Sequence, residues 1–231
     1  MGVAIATVSC QGISACMVTW ILIKGNSLFR LKIREIRFYM ASLQSVLCIG
    51  IPAALEATMY TIANLIIQIF VNGLGTDTVA AWGTFAKIDA IYWMVVNSFG
   101  IAITTFVGQN YGAGKMDRVH KGVRTCMGIT AGATVLLSVI LYNYASICYQ
   151  LFTTDAQVVV IGEQILHFLV PTYFTYIAIE ILSGTLRGVG DAWMPLIITG
   201  IGVCAVRVLW IMFVLPHYHT IIGAAFCYPL T

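Results

Sequence analysis

Two carboxylates stand inside long apolar stretches and set the chemistry open to this sequence. Glu56 is followed by Tyr60, Asn64 and Gln68 at four-residue steps, and Glu180 is flanked by Tyr173, Tyr176 and Ser183. Such spacing stays on roughly one side of a helix, so each set forms a polar stripe. An ionisable group inside a bilayer-crossing helix costs several kcal/mol unless it is paired or hydrated, and it points to function by default. A carboxylate withdrawn from water takes up a proton or a small cation more readily, as a coupling site requires. The plainer reading is a protonated Glu that fixes helix packing through hydrogen bonds, and both readings stay open. Glu56, Tyr60, Asn64, Gln68, Tyr176 and Glu180 are therefore the candidates for a coupling-ion or substrate cavity. Lys87, Asp89 and Arg207 stand nearer helix ends. Lys87 and Asp89 are expected to pair or snorkel, and Arg207 to reach toward a headgroup.

Other chemistries find little support. Gly108 to Lys115 is one residue too long for a phosphate-binding loop, and Met116 replaces the Ser or Thr that would hold magnesium. There is no HExxH, no GxSxG and no DxxD, so no catalytic residue is assigned and the chain reads as a non-enzyme. The seven cysteines show neither CxxC nor His pairing at metal spacing and read as small hydrophobes. His217 and His219 read as solvated polar groups, so no metal site and no cofactor are expected.

The stripes must be carried by membrane-spanning helices. Of 231 residues, 60% are hydrophobic and 9% charged, with a mean hydropathy of +0.92. An average soluble domain is about 25% charged, and a soluble globule of this size could not hide so much apolar surface. Disorder is excluded because such chains are poor in apolar residues and rich in charge, and a net charge of +3 is too small to argue for nucleic acid. Runs of the required ~20 apolar residues place helices near 2–23, 43–71, 79–107, 123–148, 157–186 and 193–215. A seventh begins near Ile221 and stops after about half a span. Gly-rich breakers at 72–75, 112–114 and 188–190 mark turns. Basic residues crowd 24–37 and 115–124, Arg187 marks a later turn, and the alternate loops hold no Lys or Arg. The basic side is therefore cytoplasmic, and the first helix starts outside. The N-terminus lacks both a signal-peptide n-region and an acylation signal.

Four motifs give a family resemblance. Gly50-Ile51-Pro52-Ala53-Ala54-Leu55-Glu56 resembles the multidrug and toxic compound extrusion (MATE) family. So do Leu74-Gly75-Thr76-Asp77-Thr78-Val79-Ala80-Ala81, Val107-Gly108-Gln109-Asn110-Tyr111-Gly112-Ala113-Gly114 and Leu186-Arg187-Gly188-Val189-Gly190-Asp191. The motifs follow family order and spacing across residues 43–195. The resemblance implies an all-α transporter of two six-helix lobes. On that map, 1–23 is the last helix of the first lobe, 24–42 the basic cytoplasmic inter-lobe loop, and 43–231 the second lobe with its final helix cut short. Gly2-Val3-Ala4-Ile5-Ala6 and Gly223-Ala224-Ala225-Phe226 begin their helices alike, as a lobe repeat would. In the sodium-coupled branch a Glu on the first helix of this lobe serves coupling, and Glu56 stands there. The Asp that branch carries on the lobe's fourth helix is replaced by Tyr176, with Glu180 one turn on. Another branch uses carboxylates of the first lobe, so both Na+ and H+ remain open as coupling ions.

The resemblance implies a secondary antiporter of the plasma membrane, taken as a bacterial inner membrane, exporting amphipathic organic cations. Its other partners would be the lipid bilayer and either a missing first lobe or a second copy. Two alternatives stay beside it: a lipid-linked precursor flippase, which would need more cationic cavity residues, and an inactive half-transporter or non-transporting subunit. An intramembrane enzyme would need a nucleophile beside the carboxylates, and none stands there.

Overall fold

Within a bilayer the backbone N–H and C=O groups find no water, so a spanning chain satisfies them inside helices. The computed structural model describes residues 2–24, 37, 39–215 and 220–230, and every regular element among these is helical. Ile5–Lys24, Met40–Asn72, Thr76–Gly112, Met116–Asn143, Ala156–Val189 and Trp193–Val214 are long and apolar enough to cross a membrane. Most of the basic segment 24–37, with His217 and His219, lies outside the described residues.

The chain divides into two units, residues 1–45 and 46–231. The first contains α1 (Gly2–Lys24). Further along come α2 (Met40–Asn72), α3 (Thr76–Gly112), α4 (Met116–Asn143) and the short α5 (Ala145–Gln150). Helix α6 (Ala156–Leu169) continues through one 3₁₀ turn containing Pro171 into α7 (Tyr173–Val189). After α8 (Trp193–Thr199), two π-helical segments, Gly200–Ala205 and Trp210–Val214, flank α9 (Val206–Leu209). Two single turns, α10 (Ile221–Ala225) and α11 (Cys227–Leu230), follow.

Helix α4 starts at Met116 rather than near 123, and it ends at Asn143, with α5 separate, rather than running on to 148. Hydropathy marks the apolar part of a helix and not its hydrogen bonding. The polar turn holding Arg118, His120 and Lys121 stays helical because it still buries Val119. The turns themselves fall where the glycines stand. At Gly114 (φ 71°) the Gly114 N–H donates to Tyr111 O and the Lys115 N–H to Asn110 O. At Gly190 (φ 99°) the Gly190 N–H donates to Arg187 O and the Asp191 N–H to Leu186 O. Both are helix stops that need a left-handed residue, which glycine supplies without a Cβ clash. Asp191 then caps the next helix by accepting from the N–H groups of Trp193 and Met194, each at 3.1 Å.

Helix α3 packs most extensively against α7, then against α4 and α6. Lipid tails are as apolar as leucine, so helices in a bilayer associate through close packing, which small residues permit. Gly100, Thr104 and Gly108 of α3 face Gly184 and Gly188 of α7. A Cβ on Gly184 would lie 2.8 Å from Gly100 O, and one on Gly188 would lie 2.7 Å from Thr104 O. Thr104 Oγ1 donates across the seam to Gly184 O at 2.9 Å. Two apolar clusters flank this contact. One surrounds Trp82, Phe85, Tyr149, Leu166 and Leu169; the other, nearer the basic turn, holds Ile103, Val107, Val119, Ile177 and Ile181. Leu65, Ile69, Met94, Leu136 and Ile201 face outward, as lipid-facing side chains do.

Gly184→Ala and Gly188→Ala press a methyl group onto backbone and should each destabilise the full chain by about 1–3 kcal/mol. Gly132→Ala, where a Cβ meets nothing within 4 Å, should lose nothing. Thermal unfolding in detergent reads the difference, and equal behaviour of the three variants would refute the seam.

Candidate functional site

Helix α2 lies outside the closest helix pairings. Near its end Ile67 and Val71 enter the apolar core, but at mid-length it stands across a cavity of about 850 Å³ from α3 and α7. All six candidates, Glu56, Tyr60, Asn64, Gln68, Tyr176 and Glu180, line this cavity. The two polar stripes of the sequence thus face one space.

A charge cluster sits at the end of the cavity nearer the α7 terminus. Arg187 Nη1 donates to Glu56 Oε2 at 3.2 Å, and Arg187 Nη2 lies 3.8 Å from Glu180 Oε1. Thr199 donates its hydroxyl to Glu56 Oε1 at 3.2 Å, so both oxygens of a carboxylate that is only 8% exposed are engaged. The Glu180 head occupies the space a side chain at residue 100 would fill. Gly100 therefore makes room for the carboxylate that Arg187 approaches. One guanidinium thus stands within reach of two carboxylates.

Arg187 is the main residue missed in the sequence, where it reads as a loop charge. The signal was present: Glu180 and Arg187 are seven residues apart, two turns along the same helix face. Arg207 also corrects its expectation. It is 1% exposed, donates to Asn64 Oδ1 at 3.0 Å, and lies over the Tyr228 ring at 4.4 Å. A headgroup position is excluded because π-helical segments on both sides of α9 accompany a turn that presents Arg207 to the cavity. Such segments recur at functional sites.

Asp89 does not pair with Lys87. Its carboxylate accepts from Tyr173 OH at 2.6 Å and from Trp93 Nε1 at 3.0 Å, while Lys87 lies over the Phe152 ring at 5.6 Å. Positions two apart, such as 87 and 89, point to different sides of a helix, which separates the two. Tyr173, at the first turn of α7, does not join Glu180 at the cavity. It is buried in the core, stacked on Tyr92 with ring centroids 4.0 Å apart. Trp82 and Trp93 add aromatic wall beside Tyr60 and Tyr176, with Trp93 edge-on to Tyr176 at 5.2 Å. Tryptophan carries no pattern that separates a cavity wall from a core, so the sequence left both unassigned.

The chain belongs to the MatE family, whose model matches residues 52–212. It is 26% identical over 173 residues to "Probable multidrug resistance protein YoeA" of Bacillus subtilis, covering 75% of this chain and 37% of that protein. It is 24% identical over 218 residues to "Probable multidrug resistance protein NorM" of Thermotoga maritima, covering 94% of this chain and 46% of that protein. The chain thus spans less than half the length of these relatives. Among solved structures, MATE in complex with MaD3S superposes with a TM-score of 0.81 at 17% identity. That match covers 96% of this chain and 49% of the other, and it establishes a shared fold. Together with six membrane-length helices among the described residues, these likenesses define a multi-pass membrane protein.

Arg187→Met removes the guanidinium that Glu56 and Glu180 share, and removing one partner of such a buried cluster should cost about 3 kcal/mol. The double variant Glu56→Gln/Arg187→Met removes charge from both sides and should unfold at a higher temperature than Arg187→Met alone. Additive losses in thermal unfolding would show that the two side chains do not interact.

Proposed function

We propose that the chain supplies the end of the first lobe, the inter-lobe loop and most of the second lobe of a secondary antiporter. Residues 1–23, 24–42 and 43–231 take these parts, in a plasma membrane of the bacterial inner-membrane type. Its substrates are amphipathic organic cations, exported in exchange for Na+ or H+. The observation that carries this reading is the composition of the cavity. Three carboxylates, Glu56, Asp89 and Glu180, face it against two guanidiniums, Arg187 and Arg207, among aromatic walls. Each aromatic face that meets a cation contributes about 0.5–2 kcal/mol, more as water is excluded. The same count disfavours the flippase alternative, whose anionic substrate would meet an excess of carboxylate.

Coupling follows from competition at Glu56. With its carboxylate ionised, Glu56 holds Arg187 and matches its positive charge, so an organic cation binds well. When a sodium ion or proton occupies Glu56, Arg187 loses its closest acceptor and its positive charge is no longer matched there. The cavity then repels a cationic substrate, which favours release. Both ligands thereby lower each other's affinity through one shared charge, the reciprocal coupling an exchanger needs.

Efflux of a fluorescent organic cation from vesicles bearing the full-length protein, driven by an imposed Na+ or H+ gradient, tests this. Glu56→Gln should abolish gradient-driven efflux while equilibrium binding of the dye persists. Unchanged efflux in Glu56→Gln would overturn the mechanism. An absence of gradient-driven transport by the wild type would favour the half-transporter reading instead.

A further inference from the structure

A second pocket, of about 540 Å³, lies between α3 and α4, apart from the charge cluster. The two helices form a tight hairpin, so residues near the Gly112–Lys115 turn oppose each other in reverse order. At one end the Phe106 ring lies over Gly122, filling space that a Cβ there would claim. At the other, Cys126 Sγ lies 3.8 Å from Phe99 O. From Phe106 to Phe99 the apolar trough runs for two helical turns, roughly 10 Å at 1.5 Å per residue. Ile103 forms its buried floor, and Ala102 and Ile129 form its sides.

Arg118 and Lys121 close the end near the turn. Three residues apart, they share a helix face, and Thr125 continues that face into the trough. Among the described residues neither cation is paired with a carboxylate, and no carboxylate lines the pocket. The site therefore offers two cations at its mouth and hydrocarbon below. Basic loops mark the cytoplasmic side, so the mouth opens at the leaflet where anionic lipid accumulates.

We propose that this groove binds one anionic phospholipid, its phosphate held by Arg118 and Lys121 and the upper part of an acyl chain seated along Ile103 and Ile129. A soluble anion would leave the trough unused, and a zwitterionic lipid would bring a choline against the two cations. The charge and shape together fit an amphiphile with an anionic head. The inference is independent of what the larger cavity transports.

Native mass spectrometry of the full chain in mild detergent tests it, with dioleoyl phosphatidylglycerol and dioleoyl phosphatidylcholine supplied in equal amounts. The wild type should retain phosphatidylglycerol roughly tenfold or more over phosphatidylcholine, since each basic residue at a headgroup adds appreciable attraction. Arg118→Ala/Lys121→Ala should bring the ratio close to one. Lys115→Ala/Arg124→Ala removes the same charge from the same segment without touching the pocket lining, and should keep most of the preference. Ala102→Trp fills the trough and should lower retention of both lipids. Equal losses in the two charge variants would mean diffuse attraction to the basic segment and would overturn the site. So would a preference that survives Arg118→Ala/Lys121→Ala.

Discussion

The seam between α3 and α7 is the contact on which the remaining geometry depends. Helices in lipid gain nothing from hiding apolar side chains, so they meet closely only where backbones can touch. Gly184 and Gly188 permit that touch, and Thr104 reinforces it with a hydrogen bond to a backbone carbonyl. Two family motifs meet here: a Cβ at Gly108 would stand 3.3 Å from Gly188 O. The same helix that carries these glycines carries Glu180 one turn before them and Arg187 beside them. Close packing of two helices therefore fixes where the charges point.

Helix α2 is attached in a different way. At mid-length Met59 packs against Gly200, and the ties to α7, α8 and α9 include polar ones: Glu56 to Arg187 and Thr199, and Asn64 to Arg207. Such contacts depend on the charge and direction of each polar group, whereas a packed glycine seam depends on shape alone. The cavity thus has one wall of closely packed α3 and α7 and a second wall, α2, tied in part by side-chain hydrogen bonds.

Much of the architecture was legible before any coordinates. Apolar runs marked the spanning helices, and the Gly-containing breakers at 112–114 and 188–190 became helix stops with left-handed glycines. The six cavity candidates were found from charge within apolar surroundings and from four-residue spacing, and they face one space. Helix ends were less legible, as α4 shows, because hydropathy reports burial in lipid while a helix extends as far as its hydrogen bonds do. Arg187, Arg207 and Asp89 were misplaced for a related reason. A charge near the end of an apolar run looks like an interfacial residue, and only its neighbours in space show otherwise.

The sequence by itself determined that this is an all-helical membrane protein, which family motifs it bears, and which residues are too polar to face lipid. Those properties follow from the solvent, since a bilayer tolerates neither unpaired backbone nor isolated charge. The tertiary structure alone decided which charge answers which. Glu56 and Arg187 are 131 residues apart, and Asn64 and Arg207 are 143 apart. No local pattern links residues at such separations. Their pairing arises from where α2 comes to lie beside α7 and α9, which is a property of packed helices rather than of any one of them.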